Sequence, residues 1–151
     1  MKSQETIQME ERINRFLASR IIEGDDRTIN DYILFDLISA SYEEGSVELS
    51  FPIIPWMKNI KGILHGGILC SIFDTSCGIT AIAVSGDNFT PTSNISVSFL
   101  RGMNIGEHAI IKTKVTHLGK MLVSVTAEAF CEESGKLCAT ASATFCRIAN
   151  R

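Results

Sequence analysis

Between Gly62 and Gly86 the chain carries a single formal charge, Asp74, in an otherwise apolar and small-residue run that opens on His65-Gly66-Gly67. A run of that length and polarity has two outcomes, a membrane span or a helix buried inside a fold. His65, Asp74 and the glycines Gly66, Gly67 and Gly78 interrupt it, and its apolar residues are periodic rather than all-round. Ile68, Leu69, Ile72, Phe73, Ile79 and Ala83 recur at offsets of three, four and seven, which predicts a core helix from Gly66 to Ser85 and no membrane association. On the opposite side Cys70, Ser71, Gly78, Ala81 and Ser85 stand near Asp74 at helical offsets. Small residues around one acid point to a partner backbone or a ligand approaching this face, where long charged side chains would meet bulk water.

The rest of the chain supplies something to enclose that helix. Residues 3–20 set Ile7, Met9, Ile13, Phe16 and Leu17 among charges, a pattern for a surface helix that packs lightly. The apolar run 32–41 and the alternating run 46–51, joined by Glu43-Glu44-Gly45, read as a β-hairpin. Pro52 and Pro55 then withhold amide donors and end the pairing, leaving an irregular loop before the helix. Four further runs, 92–101, 107–118, 121–131 and 136–147, alternate with period two and are punctuated by Gly106, Gly119-Lys120 and Ser134-Gly135. Read as four consecutive antiparallel strands joined by short turns, they complete one sheet around the helix and give an α+β fold. A chain of 151 residues holds one such core. The expected organisation is an N-terminal helical extension over 1–30 and a single domain over 31–151.

Composition removes several functions. Fourteen Lys/Arg against seventeen Asp/Glu leave a net charge of −3, with no basic patch of the kind that nucleic acid requires. Residues 1–58 hold six Lys/Arg against eleven Asp/Glu and 59–151 hold eight against six, so the second half tolerates anionic ligands better. Five cysteines without a C-x-x-C pair fit neither a disulfide framework nor a zinc knuckle and read as small packing residues in a reducing, cytoplasmic setting. The acidic start lacks the basic and apolar regions of a secretory signal. No three-ligand metal spacing emerges.

Two features carry chemistry. Gly66 and Gly67 open a buried helix, so their amide hydrogens are approachable and the helix start can bind a partly negative oxygen; the plainer alternative is a tight turn. Asp74, nine residues after His65, sits on a helix otherwise without charge, and carboxylates are rarely buried without a partner or a job. It is a candidate general base or nucleophile, with a structural ion pair as the alternative. Arg101, Lys112, Lys114, Lys120 and Arg147 are candidate donors to phosphate, or solvated strand residues.

The ordered series His65-Gly66-Gly67, Asp74, Gly78, Thr92-Ser-Asn94-Ile-Ser96-Val-Ser-Phe99-Leu100-Arg101, Gly106, Thr116-His-Leu-Gly119-Lys and Gly135-Lys-Leu-Cys-Ala139, closing on Thr144-Phe145, resembles the hotdog-fold acyl-CoA thioesterases, specifically the phenylacetate-degradation (PaaI-like) group. The similarity covers residues 35–148. The resemblance implies a hotdog fold and hydrolysis of an acyl-CoA thioester to free acid and CoA, with no cofactor and no metal. It assigns the carbonyl-polarising amide to Gly66, the catalytic carboxylate, as base or nucleophile, to Asp74, a pocket-shaping role to His65, and a place near the carbonyl to Asn59, six residues before it. Thr92, eighteen after Asp74, falls where some members position water. Gly67, Phe73, Asn94 and Arg101 are the matching candidates for substrate binding, and Phe73, Ile79 and Phe89 for pocket depth. In such dimers the carboxylate and the amide come from opposite subunits, which implies a homodimer, commonly paired again into a tetramer.

Two departures stand out. The usual Leu-Arg-Pro is Leu100-Arg101-Gly102, which predicts a looser following loop, and the usual Asp before the phenylalanine is Asn94. The competing function is a noncatalytic acyl-CoA binding or sensing protein that uses the same cleft. A hydratase or dehydratase of the same fold places its histidine in a different motif setting, and His-Gly-Gly with Asp74 argues against it.

Overall fold

The structure, a computed structural model, describes residues 1–86 and 88–150. Three helices, α1 (Gln4–Ala18), the single turn α2 (Ile29–Tyr32) and α3 (Gly66–Ser85), accompany six strands: β1 (Asp36–Ser41), β2 (Ser46–Pro52), β3 (Thr92–Phe99), β4 (His108–Leu118), β5 (Leu122–Cys131) and β6 (Leu137–Cys146). All pairings are antiparallel, and the order across the sheet is β1-β2-β4-β5-β6-β3. The expected hairpin is β1–β2, but residues 29–32 are helical, because Thr28 and Asp31 form a reciprocal capping box there, and pairing begins only at Asp36.

The last four strands are not consecutive neighbours. β4, β5 and β6 form a meander, whereas β3 pairs with β6 and residues 100–107 carry the chain across to β4. Period-two alternation identifies strands but holds no information about which edges meet. The crossing loop is fastened to the sheet, Leu100 and Arg101 amides both donating to the Cys138 carbonyl at 2.8 and 2.9 Å. Gly102 does not loosen it: a Cβ there would lie 2.8 Å from Ile63 Cδ1, so the missing side chain allows the loop to close on Ile63.

The sheet curves around α3 in the hotdog arrangement. α3 is long and apolar enough to cross a membrane, yet its apolar face is used inside the protein: Leu69, Ile72, Phe73, Cys77 and Ala83 are buried against Val47, Leu49, Phe51, Ile111, Val125 and Phe145. Five alanines on the inner face of β5 and β6 (127, 129, 139, 141 and 143) keep the sheet surface flat, so the helix can lie close to it. A buried hydroxyl chain fixes the helix at mid-length: Thr80 Oγ1 lies 2.7 Å from Thr113 Oγ1, which donates to the Val47 carbonyl at 3.0 Å.

α1 packs more firmly than its sequence suggests. Met9 and Ile13 are fully buried members of the one core, Arg12 Nη1 donates to the Ala83 carbonyl at 3.0 Å, and Thr6 receives the Tyr42 amide while donating to Glu43. Two of its apolar residues meet a surface that the remainder of the fold leaves open.

Candidate active site

The start of α3 is held from both sides. The Asn59 side-chain oxygen accepts the amides of Lys61 at 2.8 Å and Ile63 at 3.3 Å, and Gly62, at φ +83°, closes this turn in a conformation that favours glycine. The His65 amide then donates to the Met57 carbonyl and the Leu64 amide to Met103. His65 is the N-cap: its Nδ1 accepts the Gly67 amide at 2.9 Å, which places the ring proton on Nε2. Of the two amides expected to be free, that of Gly67 is thus committed to His65. The Gly66 amide has no acceptor among the described residues, and Gly66 lines a cleft of about 340 Å³ together with Leu69, Phe99, Arg101 and Met103. Arg101 Nη1 donates to the Leu137 carbonyl at the rim of this cleft.

Asp74 lies two turns further along. Gly67, Ser71, Asp74, Gly78 and Ile82 form a half-open stripe on α3, while Ala81 and Ser85, expected beside the carboxylate, are buried. Thr92 Oγ1 donates to Asp74 Oδ1 at 2.8 Å, tying the helix to the first residue of β3. The carboxylate opens into a second cleft, of about 160 Å³, walled by Phe16, Ile79, Ile82, Thr90 and Phe145. Gly78 completes it, since a Cβ there would stand 3.6 Å from the Phe145 ring. The Thr90 hydroxyl in this wall is buried and has no partner among the described residues, so it can hydrogen-bond a guest.

The structure therefore brings Asp74 together with Thr92, and Gly66 with His65 and Arg101, but not the two groups with each other. Eight helical residues separate Gly66 from Asp74, roughly 12 Å along the axis. Asn59 holds the preceding turn with its oxygen. Asn94 is exposed on β3 and Phe73 is wholly buried in the core, and neither lines either of these two clefts. Phe89 is exposed and bridges to Ile148; Ile79 does line the Asp74 cleft.

Several participants had no local sequence signal. Phe16 and Asn30 reach the Asp74 cleft from the N-terminal extension, and Thr75 Oγ1 donates to Asn30 Oδ1 across 45 positions of sequence at 3.1 Å. Burial, reinforced by the Asp74 charge, pushes the Cys77 thiol up to about 12, so it supplies no thiolate near neutral pH. The fold also assembles a triad that spacing did not reveal: His108, Glu132 and Glu133 place ligand-type atoms within 4.8 Å of one another. Against a desolvation penalty, the His108 amide and ring hold the exposed Glu133 carboxyl down at about 2, which makes the group a clasp between the start of β4 and the β5–β6 turn.

A family model described as the thioesterase superfamily matches residues 61–138, from the loop before α3 to the second residue of β6. An esterase-like protein of Saccharolobus solfataricus is 30% identical over 106 residues, which span 70% of this chain and 74% of that protein. PaaI of E. coli, from the phenylacetic acid degradation operon, superposes with a TM-score of 0.82 at 19% identity over 97% of this chain and 98% of its own. A Streptococcus mutans protein whose structure was determined bound to acetyl CoA gives a TM-score of 0.71 at 21% identity, over 85% of this chain and 98% of that one.

Proposed function

Because the chain belongs to the thioesterase superfamily and is a thioester hydrolase, we propose that its substrate is an acyl-CoA, cleaved to a carboxylic acid and CoA with Asp74 at the reacting carbon. The observation that carries this reading is the Thr92–Asp74 contact: a lone carboxylate on an otherwise uncharged helix, oriented by one hydroxyl through one oxygen, borders a cleft of acyl size whose walls include Phe16, Ile79, Ile82 and Phe145. The other oxygen can take a proton from water as that water bonds to the carbonyl carbon, or can attack the carbon itself. In either route the C–S bond breaks and the departing CoA thiolate is protonated; in the second, water then cleaves the acyl–Asp74 anhydride, which releases the acid and restores the carboxylate. The Gly66 amide, at the positive end of α3, stabilises the negative charge that develops on the carbonyl oxygen. The acetyl CoA bound to the S. mutans relative and the basic Arg101 at the Gly66 cleft support a CoA ester as the substrate.

Gly66 and Asp74 of one chain open into different clefts, so a complete site takes the amide from one copy and the carboxylate from another. We accordingly propose a homodimer built on the half-open stripe of α3 and the free edge of β3, with pairing of dimers as the larger assembly. Free thiols at all five cysteines suit a cytoplasmic enzyme. Release of free CoA from a panel of aryl and straight-chain acyl-CoAs tests the reading, with the protein's own thiols subtracted. Wild type should hydrolyse members of the panel and Asp74→Asn should lose roughly 10²- to 10⁴-fold in kcat. A wild type that binds acyl-CoA without cleaving it would instead make the protein a binding or sensing module.

A further inference from the structure

Phe16 of α1 and Ile82 of α3 line two cavities at once: the Asp74 cleft, and a neighbouring cleft of about 370 Å³ whose other walls include Arg12, Arg15, Ser19 and Asn88. These two side chains are the residues common to both linings, and they stand as a partition between the Asp74 cleft and one that carries Arg12 and Arg15. We propose, on the basis of the acyl-CoA reading above, that the Phe16–Ile82 partition is the end wall of the acyl pocket, so that α1 and not the sheet sets the longest acyl group accepted.

With the thioester carbonyl at Asp74, the acyl group extends along the only apolar surface that the cleft offers, over Gly78 and Ile79 toward Phe145, Phe16 and Ile82. The chamber's 160 Å³ is close to the engineered cavity of about 150 Å³ that admits benzene, so it holds one ring or a short chain. A longer chain would have to displace the partition and then lie beside the guanidinium groups of Arg12 and Arg15, a polar surface that an alkyl chain gains little from reaching. The partition is also braced. Phe16 stacks on Phe35 with ring centroids 6.2 Å apart, and the Arg12 bond to the Ala83 carbonyl fixes the height of α1 on α3 one turn earlier. Shortening either partition residue joins the two chambers without touching Asp74, Thr92 or Gly66.

The test is kcat/KM for straight-chain acyl-CoAs from acetyl to palmitoyl, using the full chain as wild type, Phe16→Ala, Ile82→Ala and Phe16→Trp. One methylene in an apolar pocket is worth roughly 10- to 200-fold in discrimination, so each alanine variant should raise the ratio of dodecanoyl- to butanoyl-CoA turnover by about tenfold or more, and Phe16→Trp should lower it. Ile82→Ala approaches the wall from α3 and, with its oligomeric state checked against wild type by light scattering because Ile82 also lies on the stripe proposed for the dimer, keeps the test decisive if Phe16→Ala loosens α1. A uniform change at every chain length in both alanine variants, with wild type active, overturns the partition alone. A wild type inactive on the whole panel overturns the acyl-CoA reading and the partition with it.

Discussion

Asp74 has one carboxylate oxygen held by Thr92, and that hydroxyl decides how the other oxygen is aimed. Thr92→Ala should lower kcat by up to roughly 10²-fold through misorientation while KM stays nearly fixed, and Thr92→Ser should restore most of the loss, as steady-state kinetics on the best substrate will show. His65 plays a comparable role toward Gly66: its ring caps the helix, which leaves the Gly66 amide as the one open donor. His65→Ala removes a cap and should cost about 0.5–2 kcal/mol of stability, whereas His65→Asn, an able N-cap, should unfold near the wild-type midpoint in urea. Cys77 gives a prediction with a definite sign. Its folded-state value is raised from 9.0 to about 12, so the stability it contributes is fully present below pH 9 and is lost as the pH rises toward 12. Denaturation midpoints should therefore fall across that window, and less so in Cys77→Ala. The position of Asp74 on an uncharged helix was plain from sequence; its partner was identifiable only by resemblance, because eighteen residues and a change of element separate it from Thr92.

At the scale of elements, α3 is fixed by a few contacts that periodicity could not show. The Thr80–Thr113–Val47 chain is buried, so Thr113→Val leaves Thr80 with one partner fewer and should cost about 1–3 kcal/mol, while pairing it with Thr80→Val should cost less than the sum of the single changes. Chemical denaturation of the three variants forms the required cycle. The boundaries of α3 and of β4 to β6 were legible because helical and alternating periods run through most of their lengths. The place of β3 beside β6 was not, since edge pairing is decided by the closure of residues 100–107 on Cys138 and Ile63 rather than by any pattern within the strand. α1 shows the same limit. Its sparse apolar residues suggest a light contact, yet Ile13 is 1% exposed, and Ile13→Ala should destabilise the protein by about 2–5 kcal/mol.

The whole molecule raises the question of how one site is assembled. Gly66 and Asp74 belong to the same helix and line separate clefts, and the proposed mechanism accordingly has two copies share their groups. Gly66→Pro removes the amide hydrogen at a position that suits proline: it is the first helical residue, and His65 before it already has ψ 132°. A Cβ at this position meets only the ring of the exposed Phe99, at 3.4 Å. Gly66→Pro and Asp74→Asn should each be nearly inactive alone. Mixed after dissociation and reassembly, half of the dimers carry both chains and regain one intact site, so free-CoA release should recover to about a quarter of the wild-type rate per chain. Recovery at that level would establish both groups, and their supply in trans, in a single experiment. Two inactive variants that form mixed dimers yet recover no hydrolysis would contradict the account.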